Sequence, residues 1–555
     1  DIQGERLLPP AKFAVENKLD NVLFLRFQIE NILEYFTKHT VSEIWLTFPD
    51  PRPKKKDIKK RLTSPRFLNL YKKILEPDGL IHLKTDDKTL FEYSLKIIDE
   101  EVGRLDKEKI RALTDNENQL FGISSMTPTI SRAYELADLI KSVFPKSTVV
   151  FGGIHPTVMP EEVLSRESVD LVVSGEAEPI IEEIVVSHHS GKGFKDILSC
   201  SYNDNGKIIH NPRAPLIDIN NLPDVPYSLF DSTVYDMGFV ISSRGCPYNC
   251  VFCSQRAING NQYRYRSCDK VVNEIKNLIK HYAPSNIVFF DDIFTINKKR
   301  IHELCDLMVE NDLHRKAEYT MVTRADCLDD DILQRLRSTN FTGLAIGVET
   351  ASEEIMRMID KKETVKDMID GIELAHKYNF DVDTVYIFGL PGETRQDRVD
   401  TLNMAISLNV SKARFNNATP YPGTRLFDMA KEEKNLKVIG DWENFHPTGA
   451  LTSSNSFEWP IPYYPKGTTK EELIMDVIQA NMLYYLQPKR MWKLVKASIN
   501  RKGTKWLVLP PKWWMNIHYI KGIFKVLLLN MKRFMWLIKW KFQGKLLTQY
   551  KEKRP

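Results

Sequence analysis

Three closely spaced cysteines are the residues of this sequence best suited to chemistry. Cys246, Cys250 and Cys253 lie in the stretch SSRGCPYNCVFC, separated by three and then two residues. Such a group can bind zinc, form disulfides or anchor an iron–sulfur cluster. A structural zinc site takes four protein ligands, but the remaining cysteines are scattered singly, at positions 200, 268, 305 and 327. Three thiolates favour a four-iron, four-sulfur cluster with one iron left open.

Length, composition and the first residues of the sequence indicate the size of the protein and the redox state of these thiols. The chain has 555 residues, 42% of them hydrophobic and 27% charged, as in an ordinary globular protein. This length predicts roughly three or four domains. The sequence opens on DIQGERLLPP, with no initiator Met and no apolar signal segment, and the opening Asp suggests a fragment or an odd gene boundary. We expect a cytoplasmic location with reduced thiols, which disfavours disulfides.

The elements that must position the cysteines alternate between strand and helix. The strand FVISSR precedes the cysteines, and five further strand–helix units are predicted downstream, with strands near 286–294, 317–324, 343–350, 381–394 and 413–424. Six such units predict an open (β/α)6 partial TIM barrel, whose active groups lie at the carboxyl ends of its strands. The candidates there are Asp291, Asp292, Arg324, Glu349 and the turn Gly389–Gly392. The aspartates could instead cap a helix, and Arg324 could form a structural salt bridge.

The Cys-x-x-x-Cys-x-x-Cys spacing, with Phe252 before its last cysteine, resembles the radical S-adenosylmethionine superfamily. The resemblance implies a [4Fe-4S] cluster on the three cysteines and S-adenosyl-L-methionine on the open iron. Reductive cleavage of that cofactor would give a 5′-deoxyadenosyl radical, with electrons from a partner such as flavodoxin or ferredoxin.

The same resemblance implies roles for further residues. Asp291 and Asp292 would stand near the amino group of S-adenosylmethionine and Glu349 near its ribose hydroxyls. The backbone from Ile387 to Gly389 would meet the adenine. Phe252 and Arg324 complete the candidate set for this cofactor, and the loop TPYPGT would close the top of the barrel.

A second α/β pattern precedes the barrel. Predicted strands at 120–127, 147–156 and 169–178 alternate with helices over 129–144 and 160–166, and each strand ends in small or hydroxylated residues. Such ends let the backbone approach a bound group. The pattern is similar to the doubly wound cobalamin-binding domain of many radical S-adenosylmethionine enzymes, in part of its length. The resemblance implies cobalamin binding by Ser124, Ser125, Thr127, Gly152, Gly153, His155, Gly175 and Glu176.

His155 is not expected to ligate cobalt. The lower-ligand motif Asp-x-His-x-x-Gly is absent from the sequence, and a histidine in a turn is more often hydrogen-bonded.

The first hundred residues predict a partial Rossmann-like sheet, with apolar strands NVLFL (21–25), EIWLTF (43–48) and LIHLKT (80–85). The intervening loop carries seven Lys and Arg between Arg52 and Arg61, which suit phosphates or a solvated face. The stretches FPDPRPKKK, KKRLTSPRFLNLY and DGLIHLKTDD resemble bacterial tRNA (guanine-N7)-methyltransferases. The resemblance implies S-adenosylmethionine or guanine near Asp50, tRNA on Lys54, substrate on Asp86 and adenosine at Gln28. A Gly-rich cofactor turn is absent, since residues 1–100 contain only Gly4 and Gly79.

The carboxyl-terminal region is basic and aromatic. Residues 501–555 hold 14 Lys and Arg against one acidic residue, Glu552. Lysines at 521, 525, 532 and 539 interrupt the apolar runs well short of the roughly 18 residues of a spanning helix. This pattern favours a helix at a membrane surface, on the inner face of the membrane, or a basic helix packed on its own domain. The substrate would be a small or lipid-linked molecule.

The predicted domains are a methyltransferase-like segment, a cobalamin-binding-like domain, a linker, the barrel and a helical basic region, at 1–101, 102–190, 191–235, 236–440 and 441–555. The leading functional hypothesis is a radical S-adenosylmethionine enzyme that transfers a methyl group when cobalamin is bound. The alternatives are tRNA (guanine-N7) methylation by the first segment and an inactive truncated fusion.

Overall fold

The structure is a computed structural model of the 555-residue chain. It describes residues 33, 36, 41–47, 71, 73, 75–84, 99–100, 103–114, 117–227, 230, 234–235, 237–437, 441–487, 490 and 531–549. The chain forms two compact units. One contains Asp1–Leu105, Ile181–Phe194 and Ser228–Asp231, and the other contains Asp106–Ile180, Lys195–Tyr227 and Ser232–Pro555.

The first unit contains two paired strands, β1 (Val41–Thr47) and β2 (Leu75–Lys84), together with the helix Ile181–Ser190. β1 and β2 run parallel, with Ile44 opposite Ile81. A parallel pair needs a long crossover between its strands, so this pairing agrees with the predicted α/β sheet. Gln28, Asp50, Lys54, Asp86 and the predicted strand at 21–25 lie outside the described residues.

The second unit begins with a five-stranded sheet. Its strands are β3 (Leu120–Ser124), β4 (Thr148–Gly152), β5 (Leu171–Val173), β6 (Cys200–Asp204) and β7 (Lys207–His210), in that spatial order. The first three are parallel, and β6 and β7 add to the edge as an antiparallel hairpin. The helices before and between the parallel strands are α1 (Lys107–Arg111), α2 (Ile130–Val143), α3 (Ile154–Val158) and α4 (Pro160–Leu164).

The hairpin β6–β7 lies in the segment predicted as a linker, yet it belongs to this sheet. Val173 pairs with Cys200, and Cys200 is fully buried. The domain boundaries stay predictions. Strand length also differs from expectation, because the chain leaves β4 at Gly152 and turns through Gly153, at φ +96°, into α3.

The second sheet of this unit has six parallel strands in the order β15-β14-β13-β12-β11-β8. They are β8 (Phe239–Val240), β11 (Asn286–Phe289), β12 (Glu318–Thr323), β13 (Phe341–Glu349), β14 (Asp381–Phe388) and β15 (Lys412–Asn417). Six neighbouring parallel strands in sequence order are those of an open partial barrel. The predicted α/β class and partial barrel are confirmed.

The predicted strand FVISSR is interrupted. β8 ends at Val240, and β9 (Ser243–Arg244) pairs instead with the short antiparallel strand β10 (Arg264–Tyr265). The break has a local cause, because the amide groups of Ser242 and Ser243 donate to the Asp291 carboxylate and leave the strand ladder.

Helices on the outside of the barrel bury one apolar face each against the sheet. Following α5 (Gln255–Asn259), they are α6 (Cys268–Tyr282), α7 (Lys298–Glu310), α8 (Asp330–Ser338), α9 (Glu353–Met358), α10 (Val365–Lys377), α11 (Arg395–Ser407) and α12 (Arg425–Glu432). In α10 and α11, Thr364 and Thr394 begin the helix with reciprocal capping boxes to Asp367 and Asp397. The core below them includes a cluster of Phe289, Phe294 and Phe341.

Beyond the barrel lie α13 (Gly449–Thr452), α14 (Lys470–Tyr485) and α15, the helical residues 531–542. Asp476 on α14 accepts hydrogen bonds from Arg395 and Arg398, which fasten α14 to α11. A search of the described helices finds none that combines the length and apolarity needed to cross a membrane.

Candidate active site

The three clustered cysteines lie on a partly buried loop between β9 and α5. Their side chains are half-buried, and all three are free thiols. Burial raises the pKa of Cys250 to about 11, against the opposing charge of Lys361, and it raises the pKa of Cys246 and Cys253 as well. Thiolates are the metal-binding form, so loading of iron would release these protons.

The loop offers three thiols as metal ligands. Among the described residues no group of three or more His, Cys, Asp or Glu side chains converges as a site for one metal ion. The three thiolates of a [4Fe-4S] cluster bind three different irons, so such convergence is not required of them. The loop also contains a buried polar atom with no hydrogen-bond partner, Oδ1 of Asn249. The donor set therefore fits an iron–sulfur cluster.

Asp291 and Asp292 follow β11 but have different surroundings. Asp291 is 2% exposed. It accepts hydrogen bonds from the amide and hydroxyl of Ser242, at 2.6 and 2.5 Å, and from the hydroxyl of Ser243 at 2.8 Å. These groups occupy its oxygens, so Asp291 fixes the segment that leads into the cysteine loop.

Asp292 faces the cavity described below. It accepts one hydrogen bond, from the Gly245 amide at 3.0 Å. Burial raises its pKa, and the nearby Asp291 adds to this effect. Gly245 has φ +89°, and a Cβ there would stand 2.1 Å from the Gln262 carbonyl oxygen. The glycine is thus required by the tight turn that brings the cysteine loop to Asp292.

Arg324 follows β12 and lies beside the cysteine loop. Its guanidinium stands 3.7 Å from the centre of the Tyr248 ring, a residue of that loop. It also donates to both oxygens of Asp326, at 2.9 and 2.7 Å, and to the Lys361 carbonyl at 2.9 Å. The structural salt bridge foreseen as an alternative is therefore present, and it fixes a positive charge near the thiols.

Glu349 ends β13 and is buried against Lys361. The Nζ of Lys361 lies 2.9 Å from Oε1 of Glu349 and 3.7 Å from Oε2 of Glu363. Glu349 has φ +69°, and a Cβ at Gly347 would stand 2.3 Å from its Oε1. Gly347 thus leaves the space into which the carboxylate turns.

The carboxyl end of β14 carries Ile387, Phe388 and Gly389. Ile387 is half-buried and Gly389 is buried, with φ +87°. The Gly389 amide donates to a carboxyl oxygen of Glu393, which lies 3.5 Å from Arg398. Burial raises the pKa of Glu393 to about 8, although Arg398 opposes this.

The residues predicted to bind cobalamin lie at the carboxyl ends of β3, β4 and β5. Ser124 is exposed, whereas Ser125 and Thr127 are buried. A Cβ at Gly153 would stand 2.6 Å from the Ser125 carbonyl oxygen, whereas a Cβ at Gly152 would meet nothing within 4 Å. The small residues thus leave open space beside Gly152, and this fits close approach of a large cofactor to the backbone.

His155 is enclosed by its own protein. It is 0% exposed. Its Nδ1 lies 3.2 Å from Oγ1 of Thr127, and its Nε2 lies 3.6 Å from Oε2 of Glu162. Glu162 in turn accepts from Nε1 of Trp442 at 2.8 Å, and the Trp442 ring packs against His155. His155 is thus hydrogen-bonded through Nδ1 within its own protein, and its predicted lack of a cobalt bond stays a prediction.

One cavity brings the two predicted cofactor sites together. Its volume is about 290 Å³. Its walls include Gly175 and Glu176 after β5, Asp292 and Phe290 after β11, and Asn259 of α5. The Phe290 side chain is 65% exposed.

Glu176 holds the cavity wall through two arginines. It lies 3.1 Å from Arg244 and 2.8 Å from Arg264. Burial would raise the pKa of the Glu176 carboxyl, but the hydrogen bonds from Arg264 and Arg244 outweigh it and lower that pKa. Glu176 therefore connects the small sheet to the segment around the cysteine loop.

Sequence reasoning missed Tyr248, Lys361, Glu363 and Arg264. Tyr248 lies within the cysteine motif and could have been singled out as a ring beside a cluster. Lys361 and Glu363 belong to the stretch DKKET after α9, where a mixed charge run reads as a solvated surface. No local signal distinguishes the buried Lys361 from the exposed Lys362.

Family models match three parts of the chain. The model described as Radical SAM superfamily matches residues 240–405. A B12 binding domain matches residues 89–185, and a putative methyltransferase matches residues 9–128.

The relatives agree with these matches. The chain is 31% identical over 427 residues to an uncharacterized methyltransferase of Pyrococcus horikoshii, covering 75% of this chain and 89% of that protein. It is 50% identical over 98 residues to a tRNA (guanine-N(7)-)-methyltransferase of Christiangramia forsetii, covering 18% of this chain and 44% of that enzyme. The fold is similar to that of TsrM, a radical S-adenosylmethionine methyltransferase from Kitasatospora setae solved with cobalamin and a [4Fe-4S] cluster bound. The TM-score is 0.55 at 15% identity, covering 81% of this chain and 90% of that one.

Proposed function

We propose a reaction from one premise: this chain belongs to the radical SAM superfamily and carries a B12-binding domain. The proposed reaction is cobalamin-dependent transfer of a methyl group to an unreactive carbon of a small or lipid-linked substrate. The similarity to two methyltransferases supports the transfer.

The observation that carries the proposal is the shared cavity. Gly175 and Glu176, predicted for cobalamin, line the same cavity as Asp292, predicted for S-adenosylmethionine. A methyl group that passes between two cofactors and a substrate needs the two sites to face each other, since reacting atoms must approach to about 3–3.5 Å. A cavity between the two sites favours methyl transfer over radical chemistry that uses S-adenosylmethionine alone.

When bound, the cluster, S-adenosylmethionine and cobalamin supply reductive cleavage to a 5′-deoxyadenosyl radical and a carrier for the methyl group. The protein supplies their positions. Cys246, Cys250 and Cys253 would hold the cluster, and Asp292 and the strand end at Gly389 would hold S-adenosylmethionine. Arg324 and Lys361 provide fixed positive charge beside the thiolates, which favours their ionised form. Electrons come from a reductant partner, for which flavodoxin or ferredoxin is the proposed class.

The test is anaerobic turnover of the reconstituted chain. S-adenosylmethionine labelled in its methyl group is supplied with hydroxocobalamin and reduced flavodoxin, and 5′-deoxyadenosine and labelled methyl products are quantified. Cys250→Ala is expected to abolish both, whereas Cys268→Ala, at a buried thiol on α6 outside the loop, keeps them. If 5′-deoxyadenosine forms but no candidate substrate is methylated, the proposal of radical formation stands and the proposal of methyl transfer is rejected. Unchanged turnover in Cys250→Ala would reject both.

The alternative hypothesis is polar methylation of tRNA guanine by the first segment. Its basic loop is the proposed tRNA contact, but the matched part corresponds to 44% of the tRNA enzyme. Residues 1–100 contain no Gly-rich turn for the cofactor. We therefore expect no guanine-N7 methylation by the purified chain, and a tRNA methylation assay decides between the two.

A further inference from the structure

Helix α15 presents opposite faces to the protein and to its surroundings. Arg533, Leu537 and Trp540 are 9%, 6% and 7% exposed. Their spacing of four and three residues places them on one side of a helix. Arg533 donates to the Leu451 carbonyl, and Leu537 and Trp540 join the main hydrophobic core. The inward face therefore fixes this helix to the folded unit.

The outward face is also apolar, which a surface helix of a globular protein would not require. Met531, Phe534, Met535, Ile538 and Phe542 are 63%, 49%, 62%, 43% and 87% exposed. At about 100° per residue, these five positions fall on one face, opposite the buried residues. Large exposed apolar patches of this kind mark interaction sites.

Lysines flank this apolar face. Lys532 and Lys539 lie along one side of it and Lys541 along the other, at the same angular spacing, and all three are exposed. The Lys532 ammonium lies 5.2 Å from the centre of the Trp536 ring. An apolar stripe bordered by lysines and tryptophan matches a bilayer interface, where acyl chains take the apolar groups and anionic headgroups take the charges.

The orientation of the helix is fixed, so that the face is presented without rearrangement. The Lys545 carbonyl just beyond it accepts from Nε2 of Gln479 on α14 at 3.1 Å, and Oε1 of Gln479 accepts from the Leu547 amide at 2.6 Å. An apolar cavity of about 530 Å³ between α14 and α15 adjoins Met531, Phe534 and Met535 and deepens the apolar surface.

We propose that the outward face of α15 is a docking surface for an anionic lipid bilayer. The occupant is a bilayer because the face combines five apolar side chains with bordering lysines and carries no acidic residue between 531 and 549. A protein partner or a second copy of the chain would be expected to offer carboxylates to these lysines. The proposal does not depend on the proposed reaction, since docking requires neither radical nor methyl chemistry.

The experiment is co-sedimentation of the full chain with vesicles of phosphatidylcholine, with and without phosphatidylglycerol. We expect binding to the anionic vesicles that weakens as salt is added. Combining Phe534→Ser, Ile538→Ser and Phe542→Ser is expected to weaken this binding at least about tenfold, because each side chain loses its apolar contact with the acyl region. Combining Lys532→Gln, Lys539→Gln and Lys541→Gln is expected to weaken binding to the anionic vesicles and reduce its salt dependence.

Matched controls lie elsewhere on the second unit. Val309→Ser, Leu198→Ser and Val225→Ser remove exposed apolar side chains from other surfaces, and Lys276→Gln, Lys280→Gln and Lys316→Gln remove exposed charges. Both sets are expected to leave vesicle binding unchanged. Cluster absorbance and far-UV circular dichroism of every variant show that the fold is intact.

Three outcomes overturn the proposal. In the first, the chain fails to bind anionic vesicles. In the second, the variants with the α15 face replaced bind these vesicles as well as the native chain does, which places the contact elsewhere. In the third, the serine variants convert a dimer into a monomer without changing vesicle binding, which assigns the face to a second copy of the chain.

Discussion

The ammonium group of Lys361 lies 2.9 Å from the carboxylate of Glu349, and the two side chains are only 5% and 8% exposed. Lys361 also donates to the Gly347 carbonyl. The pair therefore joins the end of β13 to the segment after α9, beside the cysteine loop. Glu349 is the carboxylate that the resemblance assigns to the ribose of S-adenosylmethionine, and Lys361 sets its position.

Removing the Lys361 ammonium group is expected to lower the free energy of unfolding far more than removing that of Lys362. Lys361→Met leaves Glu349 buried without its cation, whereas Glu363 keeps Arg324 at 3.6 Å. The change should lower the free energy of unfolding by about 3 to 5 kcal/mol. Lys362→Met removes a lysine whose side chain is 70% exposed and which pairs with Asp360, so we expect a loss below about 1 kcal/mol. Urea unfolding of both variants measures the difference. Equal losses would show that Lys361 is not held as a buried ion pair.

Adjacent glycines at the end of β4 are expected to behave differently. Gly153→Ala forces φ +96° on a residue with a side chain and places its Cβ 2.6 Å from a backbone oxygen. It should lower the free energy of unfolding by at least about 1 kcal/mol. Gly152→Ala meets nothing within 4 Å and should leave unfolding unchanged, while its methyl group intrudes on the space predicted for cobalamin.

Urea unfolding and cobalamin retention after gel filtration separate these two effects. Gly122→Ala, which also meets nothing within 4 Å and lies within β3, serves as the control that changes neither. Full cobalamin retention in Gly152→Ala would argue against the predicted approach of the cofactor to this strand end.

The sequence was most informative where a local pattern determines a local structure. Alternating strands and capped helices predict the partial barrel, and its strand ends predict where Asp292, Arg324 and Glu349 lie. The assignment of these residues to S-adenosylmethionine stays a prediction. Two adjacent aspartates look alike in sequence, and only the turn at Ser242 shows that Asp291 is occupied by its own chain.

Long-range pairings were beyond sequence reasoning. The hairpin β6–β7 joins its sheet by antiparallel pairing of β6 with the edge strand β5. The sequence of a short strand does not indicate which sheet edge it pairs with. Lys361 meets Glu349 across the intervening helix α9, and nothing in DKKET separates a buried lysine from an exposed one.

The buried carboxyl group of Glu393 predicts a pH dependence of stability. Burial raises its pKa to about 8 from an ordinary value of 4.5, although Arg398 opposes this and Asp397 adds to it. Between these values the folded chain holds a proton that the unfolded chain has lost, so the free energy of unfolding falls as pH rises through the window. The fall is at most about 1.4 kcal/mol per pH unit for one group.

Glu393→Gln stays neutral and should flatten this dependence between pH 6 and about pH 8. Urea midpoints at the two pH values measure it, and Glu373→Gln, an exposed residue of α10, is the control with native behaviour. An unchanged slope in Glu393→Gln would show that this carboxyl is ionised in the folded chain.

Substitution by alanine is expected to affect stability at Asp291 and cofactor binding at Asp292. Asp291→Ala leaves the amides and hydroxyls of Ser242 and Ser243 buried without an acceptor. Since each such donor costs about 1 to 3 kcal/mol, we expect a loss of at least about 2 kcal/mol in unfolding free energy and lower iron content.

Asp292→Ala frees only the Gly245 amide. It should keep the fold and the iron and raise the KM for S-adenosylmethionine at least about tenfold, because the cavity loses the carboxylate proposed to meet the amino group. Urea unfolding, iron analysis and the rate of 5′-deoxyadenosine formation separate the two variants. A normal KM in Asp292→Ala would remove this residue from the cofactor site.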